Sequence, residues 1–248
     1  MALRTLFLAA VLLLAGTSST AQIPDEFTNL EIFPKDIGKR ELIGAMKEFC
    51  SALGVRCHHC HEMKTPGDFD SIDWASEVLP AKTKTRGMMR LVGQLNSDLI
   101  PRAVGGPAHK VQCVTCHRGL TDPRSIDLVL LETMDKDGNR AGLEHYKELR
   151  AEYYGSGSYD FGPQVVLDMA TTLAQNRGDT GTAMEFLELN VKHHPDHTYS
   201  YLMMAQIQML SGDKEGAIAN TERALAIEPE NEQAQKMLEQ LTMKAAGE

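Results

Sequence analysis

Residues 57–61 read Cys-His-His-Cys-His, and residues 113–117 read Cys-Val-Thr-Cys-His. Both pentapeptides match Cys-x-x-Cys-His, the pattern of c-type haem attachment. Two cysteines about one helical turn apart can add to the two vinyl groups on one side of a porphyrin, and the adjacent histidine then reaches the iron. The spacing predicts two covalent haem c groups. The first is attached at Cys57 and Cys60 with His61 on its iron, and the second at Cys113 and Cys116 with His117 on its iron.

Two other kinds of site also use paired cysteines. A zinc site can be built from two Cys-x-x-Cys pairs, but zinc does not require a histidine directly after each pair. A dithiol redox site expects a thioredoxin-like βαβ unit around its cysteines, and the sequence pattern shows no such unit. Haem attachment is therefore favoured over both alternatives.

Residues 1–21 have the three parts of a secretory signal. Arg4 supplies the positive charge, an apolar run covers Leu6 to Ala15, and small residues lead up to Ala21. The apolar run is too short to anchor the chain across a bilayer, and no later stretch approaches eighteen consecutive apolar residues. We therefore expect cleavage before Gln22 and a periplasmic protein without a transmembrane anchor. Export agrees with the haem prediction, because haem c is attached on the exported side of the membrane.

The composition predicts one or two globular, mainly helical domains. The chain has 248 residues, 6% aromatic residues with one Trp, and 13 Met. Its net charge of −9 argues against nucleic-acid binding. Removing the signal also removes Arg4, so the mature chain is more acidic still. An acidic surface favours a redox partner with a basic patch.

The residues before the first motif predict a helix with a candidate iron ligand on its apolar face. Gly54 is expected to end this helix. Met46 can direct its thioether at the first haem iron, or it can be a core residue, as methionine often is. Cys50 lies outside both motifs and is predicted to be a buried thiol. The residues that share this face are Leu42, Met46, Phe49, Cys50 and Leu53.

A second amphipathic helix is predicted between the motifs and is expected to end at Pro101. Met88 lies on its apolar face with several leucines and is the preferred distal ligand of the second haem. Met89 is rotated about 100° away and is held in reserve. His109, four residues before Cys113, is a second reserve ligand, although a histidine in such a glycine-rich loop is more typically solvated or bonded to a haem carboxylate.

Residues 46–119 resemble the cytochrome subunit of photosynthetic reaction centres and its diheme relatives. The resemblance covers about a third of the chain, and its Cys-x-Thr-Cys-His-Arg-Gly ending is fairly specific. In that family each haem unit consists of a helix with a distal Met, a turn, and a Cys-x-x-Cys-His helix. The matching residues are Met46, Leu53-Gly54-Val55, Cys57 to His61, Lys84 to Met89, Leu95-Asn96 and Val111 to Gly119.

This resemblance implies Met46 and His61 as the axial ligands of one haem, and Met88 and His117 as those of the other. The reaction-centre subunits carry four haems, whereas this chain has two motifs, so the resemblance is to one half of such a subunit. No cysteine that could carry a lipid anchor follows the predicted cleavage site. Both departures argue against a fixed reaction-centre subunit.

The C-terminal half shows a repeat with a period of 34 residues. Gly178-Asp179 recurs as Gly212-Asp213, and Pro195 recurs as Pro229. The period and these positions resemble tetratricopeptide repeats. We predict units at about 164–197 and 198–231 and a capping helix at 232–243. Because three repeats are usually needed for stability, a preceding helix, predicted at 142–154 after a turn at 135–139, is expected to supply further burial.

Taken together, these patterns predict an all-α protein. A diheme cytochrome c domain at 22–125 is followed at 126–248 by a linker helix and the repeats. The predicted function is electron transfer between periplasmic or membrane-associated redox partners, which dock through the repeats. Two alternatives stay open: a diheme peroxidase-like enzyme, which needs an open or displaceable iron position, and a repeat scaffold or assembly protein with structural or sensory haems. No catalytic residue is predicted.

Overall fold

The computed structural model describes residues 23–243, so the predicted signal segment lies outside the described residues. The fold is all-α. Within this range the strands form one antiparallel hairpin, β1 (Glu62–Met63) and β2 (Ile72–Asp73). No described helix has the length and apolar character needed to cross a membrane. The α-helices are α1 (Lys39–Leu53), α2 (Pro80–Gln94), α3 (Ile100–Val104), α4 (Cys113–His117), α5 (Ile126–Asp137), α6 (Asn139–Tyr153), α7 (Pro163–Thr171), α8 (Thr180–His193), α9 (Thr198–Ser211), α10 (Lys214–Ile227) and α11 (Glu232–Met243).

The chain divides into two compact units, one ending at Thr115 and the other beginning at Cys116. The first unit holds α1 to α3 and the hairpin, and the second holds the helices from α5 onward. The division falls inside the second Cys-x-x-Cys-His motif, so Cys113 belongs to the first unit and His117 to the second.

Helix α1 forms as its apolar spacing predicts and ends at Gly54. This glycine takes a left-handed conformation, with φ of 67°, and its N–H bonds back to the carbonyls of Cys50 and Ser51. Glycine adopts this conformation without the Cβ penalty that other residues incur. The sharp stop leads the chain directly into the 3₁₀ turn Cys57–His59 of the first motif.

The helix that begins at α2 does not end at Pro101, as the sequence predicts, but continues to Val104. A π-helical turn, Leu95–Leu99, joins α2 to α3, and Gly105 then ends the segment with φ of 73°. Proline lacks an N–H and its ring crowds the carbonyl four residues earlier, and a wider turn before it relieves both problems. Pro101 therefore widens the helix locally instead of stopping it.

In the second unit, the chain reverses at one residue rather than across the predicted turn at 135–139. Residues 135–137 complete α5, Gly138 has φ of 94°, and α6 begins at Asn139, three residues before the predicted start. Gly142 lies where α5 and α6 pack closely, because a Cβ built on it would lie 2.5 Å from Cγ of Met134. Only glycine fits this contact without displacing Met134.

Helix α6 supplies apolar surface to the helices that follow it. Leu143 and Tyr146 are each 1% exposed and belong to the same core as residues of α7 to α9. The Tyr146 ring lies 5.9 Å from that of Phe161 and 6.0 Å from that of Phe186. The extra burial expected from this segment is therefore present.

The 34-residue period is visible in the way the helices of the second unit begin. Gly178 and Gly212 both have positive φ, at 67° and 82°. The next residue, Asp179 or Asp213, caps a 14-residue helix by accepting a 2.9 Å hydrogen bond from an N–H three positions on. Each of α7 to α10 packs against the following helix, and α11 occupies the range predicted for the capping helix.

Candidate haem sites

The first unit contains a cavity of about 640 Å³ at the first motif, within the size range of cofactor sites. Cys57, Cys60 and His61 line it, and Met46 of α1 lines it as well. Two thiols, an imidazole and a thioether on one cavity form a donor set that suits a c-type haem. Much of the remaining wall is apolar, including Leu30, Phe33, Leu42, Ile43, Phe49, Leu53, Ile72 and Trp74.

The His61 ring is held in one tautomer by a backbone carbonyl. Its Nδ1 lies 3.0 Å from the Trp74 carbonyl oxygen. Because a carbonyl can only accept, Nδ1 carries the hydrogen, and Nε2 keeps its lone pair for a metal. Histidines that ligate metals characteristically donate their other N–H in this way. The indole of Trp74 also lies edge-on to the imidazole, with ring centroids 5.1 Å apart.

The hairpin explains why Trp74 meets His61. Its register pairs Glu62 with Asp73 and Met63 with Ile72. In an antiparallel pair, the residue before Glu62 lies opposite the residue after Asp73. His61 and Trp74 are therefore neighbours at the open end of the hairpin. A salt bridge of 2.9 Å between Lys64 and Asp73 adds a cross-strand contact. Two short strands are thus sufficient to place the carbonyl.

The surroundings of His61 favour its neutral form. Burial lowers the pKa of His61, and the nearby ammonium of Lys82 lowers it further. A neutral imidazole is the form that binds a metal. Both effects favour the form of His61 in which Nε2 carries no proton.

Cationic side chains lie in the wall of the same cavity. The Lys82 and Arg86 side chains are 12% and 11% exposed. Arg86 contacts Glu77 at 2.5 Å and Glu31 at 3.0 Å. The hydrogen bonds from Arg86 lower the pKa of Glu77 to about 2. Buried cations suit a cofactor that carries carboxylates, as haem does.

Two details of the cavity differ from the sequence prediction. Cys50 is half-buried on the cavity wall rather than fully buried. Burial raises the pKa of its thiol, and the neighbouring Cys57 raises it further. Met89 also lines this cavity, whereas Met88 is 42% exposed. The methionine held in reserve for the second haem thus faces the first site.

His117 of the second motif is held in the same way as His61. It is 8% exposed, and its Nδ1 lies 2.7 Å from the Leu120 carbonyl oxygen. Arg118 and Gly119 both have positive φ, at 48° and 88°, which turns the chain so that Leu120 folds back over the imidazole. Nδ1 again carries the hydrogen, and Nε2 is available to a metal.

The segment before the second motif is fastened to the helix that carries Met88. Asn96 donates a 2.9 Å hydrogen bond to the Val111 carbonyl and accepts a 2.8 Å bond from the Val111 N–H. These two bonds hold the chain just before Cys113 beside the π-helical turn. The apolar face of this helix is open: Leu91 is 43% exposed and Leu99 is 46% exposed. An open apolar face of this kind is typical of a surface that binds an apolar group.

No family model matches the chain. The chain is 31% identical over 97 residues to cytochrome c-554 of Chloroflexus aurantiacus. The matched part is 36% of this chain, and it spans 22% of the length of that protein. The match supports a c-type cytochrome.

The remaining histidines have other surroundings. His58, His59 and His109 are exposed. His194 and His197, in the loop between α8 and α9, bond to the Phe161 carbonyl at 3.1 Å and to the Ser200 hydroxyl at 2.8 Å. Across residues 23–243, no group of three or more His, Cys, Asp or Glu side chains is arranged to hold a metal ion.

The sequence prediction did not include the residues that orient the histidines. Trp74 and Leu120 act through backbone carbonyls, which carry no side-chain signal. Lys82 carries no sequence signal either, because a single lysine in a helix is usually a solvated side chain. The hairpin register sets the Trp74 contact, and the Arg118-Gly119 turn sets the Leu120 contact.

Proposed function

We propose that this chain is an exported diheme c-type cytochrome that carries electrons between partner proteins. The observation that carries the proposal is the common arrangement of the two motif histidines. In each, Nδ1 donates to a backbone carbonyl, at 3.0 Å for His61 and 2.7 Å for His117, and Nε2 is left for iron. The similarity to cytochrome c-554 supports the c-type cytochrome part of this proposal. When bound, haem c supplies reversible one-electron chemistry at its iron.

At the first site, the residues on the cavity support His61 and Met46 as the axial pair. Both side chains line it, together with Cys57 and Cys60 for the thioether bonds. An iron held by His and Met is closed to substrates and has a raised potential. This favours an electron carrier over a peroxidase-like enzyme, which needs an open iron position.

For the second haem, we propose attachment at Cys113 and Cys116 with His117 as a ligand. Met88 remains the preferred distal residue, because it lies on the open apolar face of α2 and because the reaction-centre resemblance implies it. Met89 is a weaker candidate here, since its side chain lines the first cavity. His109 stays as the reserve ligand.

We further propose that the second unit contains tetratricopeptide-like repeats that dock a basic redox partner. Residues 116–248 hold 22 Asp and Glu against 12 Lys and Arg, whereas residues 22–115 hold twelve of each. The acidic excess of the mature chain therefore lies entirely in the part with the repeats. Complementary charge speeds the encounter of redox proteins, and repeat arrays offer an extended binding surface.

A redox titration combined with carbon monoxide binding tests the proposed function on the full-length protein. We expect two reversible one-electron reductions and no rapid binding of carbon monoxide by the ferrous form. Rapid, stoichiometric binding at either iron would instead support the peroxidase-like enzyme. Haems that are not reduced reversibly would favour the scaffold, in which haem is structural.

A further inference from the structure

The Trp74 carbonyl accepts two hydrogen bonds at the first site. One comes from Nδ1 of His61 and the other from Nζ of Lys82, each at 3.0 Å. Nζ of Lys82 also donates to the Ser76 carbonyl at 2.9 Å and lies 3.3 Å from a carboxylate oxygen of Glu77. The three N–H groups of the Lys82 ammonium thus meet three acceptors, which fix the ammonium next to the Trp74 carbonyl.

We propose that Lys82 is a positioning residue that raises the reduction potential of the first haem through the Trp74 carbonyl. The inference rests on the proposed function, because it requires a haem iron on Nε2 of His61. It assigns to Lys82 a role that neither the motif nor the similarity to known cytochromes contains.

The physical basis is competition for one acceptor. A carbonyl that accepts the Nδ1–H of a metal-bound histidine raises the basicity of that ligand, which favours ferric iron. An ammonium on the same oxygen draws electron density away and weakens the bond from His61. A buried positive charge near the iron also favours the ferrous state, which carries one positive charge less. Both effects raise the potential.

The second motif provides an internal comparison. Nδ1 of His117 lies 2.7 Å from the Leu120 carbonyl, 0.3 Å closer than the corresponding pair at the first motif. In the described part of the chain, no lysine is bonded to the Leu120 carbonyl. Lys82 therefore makes the two histidines inequivalent, and the first haem is the one whose ferrous state is favoured.

The test compares Lys82→Met with Lys84→Met in the full chain, after mass measurement has shown that both haems are attached. Lys84 is a matched control because it carries the same charge on the same helix, α2, but is exposed and does not line the cavity. We expect Lys82→Met to make reduction of the first haem about three- to tenfold less favourable, a fall in potential of up to about 59 mV. The second haem should not change, and Lys84→Met should have little effect.

An unchanged potential of the first haem in Lys82→Met, or equal shifts in both variants, would overturn the inference.

A second measurement needs no variant: in the ferrous wild-type protein, the Nδ1–H proton of His61 should resonate upfield of that of His117, because its hydrogen bond is weaker. The opposite order would also overturn the inference. Absence of attached haem from the wild-type chain would contradict the proposed function. Attached haem with an unchanged potential of the first haem in Lys82→Met would contradict the role of Lys82 alone.

Discussion

At the residue scale, the first cavity has two methionines that face it. Met46 reaches it from α1, and Met89 reaches it from α2. Residues 46–119 resemble the reaction-centre cytochrome family, in which the distal Met lies on the helix before the motif. This order favours Met46. The two side chains therefore form a matched pair for a mutational test of ligation.

We expect the ferric protein to show the weak near-infrared band of Met–iron charge transfer, and Met46→Ala to remove the part that belongs to the first haem. Met89→Ala should leave the band intact, because its side chain is expected to pack on the cavity without binding iron. Near-infrared absorption of the ferric variants measures this. Loss of the band in Met89→Ala and its retention in Met46→Ala would reverse the assignment.

Glu77 gives the first site a pH dependence with a definite sign. Its pKa is about 2 in the folded chain, because of Arg86, against 4.5 for an ordinary glutamate. A carboxyl whose pKa is lowered by folding contributes its full stabilisation at a pH above its pKa in the unfolded chain. This contribution is lost as the pH falls towards its pKa in the folded chain. Stability should therefore decline between about pH 5 and pH 2. Urea midpoints across this range should be less pH-dependent in Glu77→Gln, and an identical pH profile would contradict this account.

The residues proposed to attach haem could be predicted from the sequence to the extent that they belong to a motif. Cys57, Cys60 and His61 follow from spacing because the chemistry of attachment dictates that spacing. The contacts with the Trp74 and Leu120 carbonyls depend on strand register and on two successive positive φ angles. Any residue type supplies a carbonyl, so these partners could not be identified before the backbone was known.

At the scale of single elements, the contact between α5 and α6 depends on Gly142. An added Cβ would lie 2.5 Å from Cγ of Met134, an atom near the main chain that cannot easily move away. Overpacking costs about 1–3 kcal/mol, and alanine returns about 1 kcal/mol of helix propensity. Gly142→Ala should therefore destabilise the chain by up to about 2 kcal/mol in urea unfolding.

Gly181→Ala is the control for this prediction. Gly181 lies in the first turn of α8, and its nearest neighbour to an added Cβ is an Asp179 oxygen at 3.6 Å, an ordinary contact. We expect no loss of stability from this substitution. If both variants unfold at the same urea concentration, close packing at Gly142 does not matter.

Periodicity predicted which helices exist better than where they end. Gly54 ends α1 as expected, because a left-handed residue is needed there. Pro101 does not end its helix, since the π-helical turn before it absorbs the missing hydrogen bond. The acidic run at 135–137 reads as a turn by composition, but Gly138 alone provides the reversal.

At the scale of the whole molecule, the unequal charge of the two parts of the chain predicts where a partner binds. Electron transfer from a small basic c-type cytochrome, used as a probe donor, should slow as salt concentration rises. Neutralising Glu188, Glu215 and Glu222 to glutamine should slow this transfer at low salt. These three carboxylates are exposed on α8 and α10. Stopped-flow kinetics at several ionic strengths measures both effects.

The matched control neutralises three exposed carboxylates of the first unit, at Asp36, Glu41 and Glu48. This variant has the same net charge as the first one, so a general charge effect would slow both equally. Docking on the second unit requires a larger effect from the α8 and α10 substitutions. Equal rates in the two variants would leave the repeats without a part in docking.

Both proposed haem sites depend on covalent attachment of one haem at each Cys-x-x-Cys-His motif. Thioether-bound haem survives denaturation, so the intact mass of the acid-denatured, exported protein measures attachment directly. We expect the mass of a chain that begins at Gln22 plus two haems, and the loss of one haem when Cys113 and Cys116 are both changed to alanine. A wild-type mass equal to the chain alone, or to the chain with a single haem, would contradict it.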